Sequence, residues 1–258
     1  MAHTIAIIGA LDKEVERIFE TIDRTDEADE AGLHVMRGTY EGLDVVATVA
    51  GMGTVNAAAA TQHLISRYGA DIVIFSGIAG GLNPALHIDD VVIGERLRYI
   101  DTDTALIAES APGLEEFAST PELVALAERV LVEHGYANAA GGHPGAAGTT
   151  PGTPGTPATP DARQYLRGTI ATGDRFITGA AMRDAVVSAT GADCGEMEGA
   201  AVAHIAAKNG ARCLVLRAIS DNCDESYAAL SERSFDLARY AASASELVLA
   251  IVRALAAA

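Results

Sequence analysis

The chain has 258 residues, 49% of them hydrophobic and none of them tryptophan, enough to bury one large core in a single domain. Lys and Arg number 18 against 35 Asp and Glu, and the net charge of −17 repels nucleic-acid phosphates and anionic lipid headgroups. Nucleic acid and membrane surfaces are therefore set aside as partners, whereas a small nucleoside is not, because a local pocket need not share the sign of the whole surface.

The opening stretch MAHTIAIIGALDKE lacks the basic flank and long apolar core of a signal peptide, and the most apolar tail segment, LVLAIVRALAAA, is only 12 residues long and contains Arg253. A soluble cytoplasmic protein is expected. Cys194, Cys213 and Cys223 form no C-x-x-C pair and read as reduced structural thiols. The histidines show no metal-binding spacing, so no metal is expected; no cofactor is expected either.

Residues 5–8 are an apolar run closed by Gly9, after which Leu11, Val15, Ile18, Phe19 and Ile22 recur at helical spacing. Residues 33–39 and 43–50 read as a hairpin around Tyr40-Glu41-Gly42, and 55–68 as an alanine-rich helix. Residues 72–75 predict a strand buried on both faces, ending in a Gly-rich turn at 76–81. A strand at 91–94 follows the Asn83-Pro84 turn. Pro121 then opens a helix over 121–133 with Thr120 as its cap.

From 139 to 161 the chain is almost wholly Gly, Ala, Pro and Thr, with no apolar face to bury, and reads as a surface insertion within the domain rather than a boundary. Alternation resumes with a strand at 167–171, a helix at 180–188, a strand at 192–196 and a helix at 199–209. A strand at 212–220 and a closing helix at 235–255 complete it. This pattern predicts an α/β fold with a mixed, mostly parallel central sheet and helices on both faces. Its active site belongs at the carboxyl ends of strands.

Four strand ends hold residues that packing alone does not call for: Gly9 to Glu14, Ser76 to Gly81, Glu196-Met197-Glu198, and Arg217 to Asp221. Each has a plain alternative. Glu14 could be an ordinary solvated helix residue, the Gly-rich segment a tight turn, and Arg217 with Asp221 a surface ion pair. Gly51-Met52-Gly53 also follows a strand and opens a helix, as in a dinucleotide fingerprint. The acid expected about 20 residues on, at the end of the next strand, is instead Asp71 at that strand's beginning, which argues against bound NAD.

Taken together, IIGALDKEV, VAGMGTVNAA, SGIAGGL, VVIGERLRYIDTD, ATGDRFITG, EMEGAAVAHIA and LRAISD resemble the nucleoside phosphorylase and nucleosidase superfamily. The closest likeness is to bacterial 5′-methylthioadenosine/S-adenosylhomocysteine nucleosidases. The resemblance spans residues 7–221, and EMEGAA followed by RAISD is its specific part. It implies a homodimer whose partner is a small purine nucleoside. It further implies that Asp221 gives or shares a proton at adenine N7, that Glu14 deprotonates the attacking water, and that Arg217 sits near both Glu14 and Glu198. Glu198 would grip the ribose hydroxyls from the mouth of a helix, near its terminal amides, with Met197 against the sugar. Glu196 would make a lesser, backbone contact to ligand. Phe176 would stack on the purine and Ile177 read its edge, with Ala10, Met52, Ile78 and Ser220 also lining the pocket.

The resemblance also separates hydrolysis from phosphorolysis. Phosphorylase relatives carry a Gly-Asp-Pro turn with an arginine at the first strand end and another arginine before the central Gly-rich segment, where this chain reads GALDKE and IVIFSGIAGG. Acid replaces base where phosphate would lie. Two departures bear on the substrate: Ile78 stands where the nucleosidases usually have a serine, and the segment after Asp103 lacks their aromatic pattern bordering the 5′ pocket. Tyr227 and Phe235 both remain candidates to close that pocket. A futalosine or aminofutalosine hydrolase, another purine nucleoside hydrolase, and a non-catalytic purine-binding or storage protein are the rival readings.

Overall fold

The computed structural model describes residues 3–139, 163–223 and 237–257. The apolar run at residues 5–8 lies in β1 (Thr4–Gly9) and is buried on both faces. Strand alternation sends Ala6 and Ile8 to one apolar cluster, shared with α2 (Thr54–Tyr68) and α6 (Gly199–Asn209). Ile5 and Ile7 enter a second cluster, on the face covered by α1 (Asp12–Thr21), α4 (Pro121–Glu133) and α7 (Leu237–Ala256), while α3 (Thr104–Ile107) is a single turn with no buried residue. Helices thus cover both faces of the sheet, the predicted architecture.

The remaining strands are β2 (Asp23–Glu30), β3 (Leu33–Tyr40), β4 (Leu43–Val49), β5 (Ile72–Gly81), β6 (Val91–Tyr99), β7 (Ala137–Asn138), β8 (Gln164–Thr172), β9 (Cys194–Glu196) and β10 (Arg212–Asp221). The ten-stranded sheet runs β10-β6-β8-β9-β5-β1-β4-β3-β2, with β7 on β8. Because β10 also pairs in parallel with β5, the strands β5, β9, β8, β6 and β10 close into a ring, and β1, β4, β3 and β2 extend from it. Ring closure brings the carboxyl ends of β5, β8 and β10 together with the short strand β9.

Two expectations change, and one strand appears where none was assigned. Residues 76–81 are strand, not turn: Ser76 to Gly80 pair along β10, and Gly80 and Gly81 pair with Gly195 and Cys194 of β9. Thr120 does not cap α4 with its hydroxyl, which accepts the Cys213 N–H at 2.9 Å and so pins the helix to β10. Residues 23–30, which carry no apolar alternation, form the exposed edge strand β2, paired with β3. The insertion expected at 139–161 falls, apart from Ala139, outside the described residues, as do Tyr227 and Phe235.

Candidate active site

Glu14 is the third residue of α1, yet it is only 5% exposed, which removes the solvated-helix alternative. Its carboxylate turns back to the end of β1. There Oε2 accepts the N–H groups of Ala10 (2.7 Å) and Leu11 (3.0 Å), while Oε1 accepts the Ile78 N–H of β5 at 3.0 Å. This close approach needs glycine below: a Cβ on Gly77 would lie 2.5 Å from Glu14 Oε1 and 3.0 Å from Arg217 Nη1. Gly77 therefore makes room for Glu14 and Arg217 rather than for a turn.

Arg217 is no surface partner of Asp221. It is 1% exposed on β10, with its guanidinium 4.4 Å from the Phe75 ring centroid. Its Nε and Nη2 both donate to Glu196 Oε2, Nε at 3.1 Å, and Nη2 lies 3.5 Å from Glu198 Oε2. Glu14, Glu196 and Glu198 thus gather around one cation.

The two acids of EMEG divide differently from expectation. The amides of the cap and first residue of α6 go to Glu196, whose Oε2 accepts from Glu198 N (3.0 Å) and Gly199 N (2.7 Å), and the next, Ala200 N, goes to the Thr172 hydroxyl. Glu198, although it is the N-cap residue, instead accepts the Gly53 N–H at 2.8 Å. The structure therefore frees Glu198 from its own helix end and points it across the site. Glu196 also accepts the Thr172 hydroxyl, so its carboxylate is engaged with protein groups.

Crowding of like charge in a dry site raises proton affinity. Burial pushes the Glu14 carboxyl up, against the pull of Arg217 and the three N–H groups. Burial, followed by the charge of Glu196, pushes Glu198 up to about 7, against Arg217 and the Gly53 N–H. For Arg217 burial works against the charged form, but the three glutamates outweigh it and the guanidinium is held above its ordinary value.

Asp221, half-buried at the end of β10, has Oδ1 on the Cys223 N–H (2.8 Å) and Oδ2 on the Ser220 hydroxyl (2.9 Å). That hydroxyl also lies 3.2 Å from the Ala79 carbonyl. Its single hydrogen can go to either oxygen. When it goes to Ala79, the Ser220 oxygen can accept from a protonated Asp221. The pair suits both protonation states of the acid.

Among the other expected residues, Ala10 is buried, Ile78 and Met197 are half-buried, and Met52 is 53% exposed. Phe176, 37% exposed, stands on the loop between β8 and α5 (Ala180–Thr190), while the Ile177 side chain packs against Gly195 beneath it. The amides at the start of α2 are not open to a pyrophosphate. The Gly53 N–H serves Glu198, and the Thr54 N–H (2.7 Å) and hydroxyl (2.6 Å) both go to Asp174. Asp71, at the other end of β5, accepts the Thr4 N–H and pairs with His3 and Arg212.

Sequence reasoning did not single out Asp174, Thr172 or Phe75. The first two lie within or beside the quoted motif ATGDRFITG, which was the available signal; nothing local marks Phe75 as the platform under Arg217. Among the described residues, no His, Cys, Asp or Glu group is arranged to hold a metal ion, and no helix is long and apolar enough to cross a membrane. Among the described residues all three cysteines are buried and none forms a disulfide, and burial pushes the Cys213 thiol up to about 12.

With buried acids and an arginine at the strand ends of an α/β sheet, residues 4–253 match the phosphorylase superfamily, and the chain belongs to that family. A 5′-methylthioadenosine/S-adenosylhomocysteine nucleosidase of Shewanella halifaxensis is 31% identical over 226 residues, covering 85% of this chain and 86% of that one. The crystal structure of a nucleosidase of the same name from Neisseria meningitidis, in complex with methylthio-immucillin-A, has a TM-score of 0.79 at 28% identity, covering 97% of this chain and 98% of that one. Futalosine hydrolase of Helicobacter pylori is equally similar, with a TM-score of 0.79, 28% identity and 98% coverage of both chains.

Proposed function

We propose that the protein is a purine nucleosidase that hydrolyses the N-ribosidic bond of 5′-methylthioadenosine and S-adenosylhomocysteine, releasing adenine. One observation carries the hydrolytic part: the buried Glu14 carboxylate occupies the end of β1 beside Arg217, with Glu196 and Glu198 on the same guanidinium. A phosphate entering there would meet acids already matched against the one arginine, and like charges in a water-poor site repel by several kcal/mol. Neutral water meets no such barrier.

In this reading Asp221 protonates N7 as electrons flow from the C1′–N9 bond into the purine. Glu14 takes a proton from water as its oxygen bonds to C1′, and the positive charge building on the ribose lies near carboxylates. Glu198 accepts from the ribose hydroxyls, with Met197 against the sugar. Phe176 stacks on the base, Ile177 reads its edge, and Ala10, Met52, Ile78 and Ser220 border the pocket. No cofactor takes part.

The protein is further proposed to act as a cytoplasmic homodimer. The exposed apolar side chains of Met52, Val55 and Leu106, on or near elements that hold the site, support pairing with a second copy, and cysteines outside any disulfide suit a reducing compartment. Light scattering tests the dimer.

A second reading, hydrolysis of futalosine or aminofutalosine, is favoured by the equal similarity to futalosine hydrolase. Incubation with methylthioadenosine, adenosylhomocysteine, futalosine and aminofutalosine, with and without phosphate, decides between them. Adenine and a free thioribose product are expected irrespective of phosphate. A ribose 1-phosphate product would overturn hydrolysis, and turnover of the futalosines alone would overturn the substrate.

A further inference from the structure

Glu196 is buried on β9, and its carboxylate is the hub of the acidic cluster. Oε2 accepts Arg217 Nε at 3.1 Å and Arg217 Nη2, together with the N–H groups of Glu198 and Gly199. Oε1 accepts the Thr172 hydroxyl, whose oxygen accepts the Ala200 N–H at 2.9 Å. One side chain thereby joins β8, β9, β10 and the first turn of α6. Held along one edge by Glu196 and from below by Phe75, the guanidinium has its Nη1 on the Leu216 carbonyl at 3.3 Å, on the side where Glu14 lies across Gly77.

We propose that Glu196 is a positioning residue of the reaction, holding Arg217 and the start of α6 so that Glu14 and Glu198 face the same ligand. The inference rests on the nucleosidase reading for its chemistry but not for its geometry. A planar fork gripped by two of its nitrogens has one orientation, and a helix start tied to the same carboxylate shares it.

Beyond holding, Glu196 contributes charge. The groups facing it are Arg217 from β10, Glu198 from the α6 cap, Cys194 from its own strand, Tyr99 from β6 and Thr172 from β8. Those facing Glu198 are Glu196, Arg217, Glu14 and the Gly53 N–H. Removing the Glu196 charge while keeping its shape therefore makes Glu198 easier to ionise, an effect that a purely structural role would not produce.

The test compares wild type, Glu196→Gln and Glu196→Asp, following carboxyl titration by 13C NMR and base release from methylthioadenosine against pH. Glu196→Gln is expected to move the Glu198 titration and the acid limb of kcat/KM down by about one pH unit. Its kcat should also fall about tenfold as Arg217 turns toward Glu14. Glu196→Asp keeps the charge and should keep the limb in place. A Glu198 titration unmoved in the folded glutamine variant overturns the inference. If no nucleoside is cleaved by wild type, the nucleosidase reading falls, and the NMR titration still decides the role of Glu196.

Discussion

The Gly53 N–H donates to Glu198 Oε1 at 2.8 Å, joining the turn after β4 to the start of α6 across 145 residues of sequence. Gly53 can aim its N–H there because it sits at φ 96° and ψ 160°, a region open essentially to glycine alone. Its neighbour Thr54 is held by Asp174 from the loop that bears Phe176. The proposed ribose clamp and the proposed base platform thus meet at one turn.

Gly53→Ala should accordingly damage both stability and binding. The backbone would be strained by about 1–3 kcal/mol, and the new Cβ would lie 3.1 Å from Asp174 Oδ1. Thermal unfolding should show the loss. Steady-state kinetics should show a raised KM for the nucleoside with a smaller change in kcat; an unchanged KM would separate this turn from ligand binding.

The acidic cluster sets an unusual pH response. Glu198 is held at about 7 when folded against an ordinary 4.5, so folding takes up a proton between those values. The stability it contributes is complete below about 4.5 and is lost as pH rises through about 7, by an amount on the order of a few kcal/mol. Urea unfolding of wild type and Glu198→Gln across this range should show the two curves diverging, with wild type losing relative stability toward alkaline pH. On the proposed mechanism activity runs the other way: it calls for ionised Glu14 and Glu198, so kcat/KM should fall as pH drops below the value of about 7 held by Glu198. A limb near the ordinary carboxylate value would contradict the burial argument.

How much of this was legible in the sequence depends on whether the cause was local. The strand at residues 5–8 and the helix at 199–209 declare themselves by apolar runs and period, because both elements pack on faces fixed by their own spacing. β2 does not, since an edge strand of Asp and Glu exposes both faces and buries no periodic stripe. The glycines at 76–81 spell a turn to any local rule; they are strand because β10 and β9 pair with them, and Gly77 and Gly80 are glycine where Glu14, Arg217, Asp221 and Cys223 crowd over them. Glu14, Glu198, Arg217 and Asp221 could be picked out by family resemblance. That the α6 amides belong to Glu196 and not to Glu198 depends on side-chain direction, and only the folded structure shows it.

Asp221→Asn tests the proposed acid with little disturbance of shape. The amide can still accept the Cys223 N–H, but it has no acidic proton to give to a purine nitrogen. Turnover of methylthioadenosine should fall about 10²- to 10⁴-fold, with melting temperature and KM near wild type. Near-normal turnover would take Asp221 out of the acid role and leave leaving-group activation to another group.

Arg217→Met isolates what the guanidinium does for the fold. At 1% exposure it offsets three buried acids, and removing it leaves Glu14, Glu196 and Glu198 facing one another without a counter-charge. Breaking a buried ion pair from one side costs about 3–5 kcal/mol, and urea unfolding at pH 8 should show a loss of that size. The deficit should shrink at pH 5, where Glu198, and Glu14 with its raised proton affinity, take up protons and the mutual repulsion is relieved. Arg217→Lys retains a charge but cannot reproduce the two-nitrogen grip on Glu196, so it should restore part of the stability while leaving kcat low. A methionine variant equally destabilised at both pH values would mean that lost packing on Phe75, and not unpaired charge, is the cause.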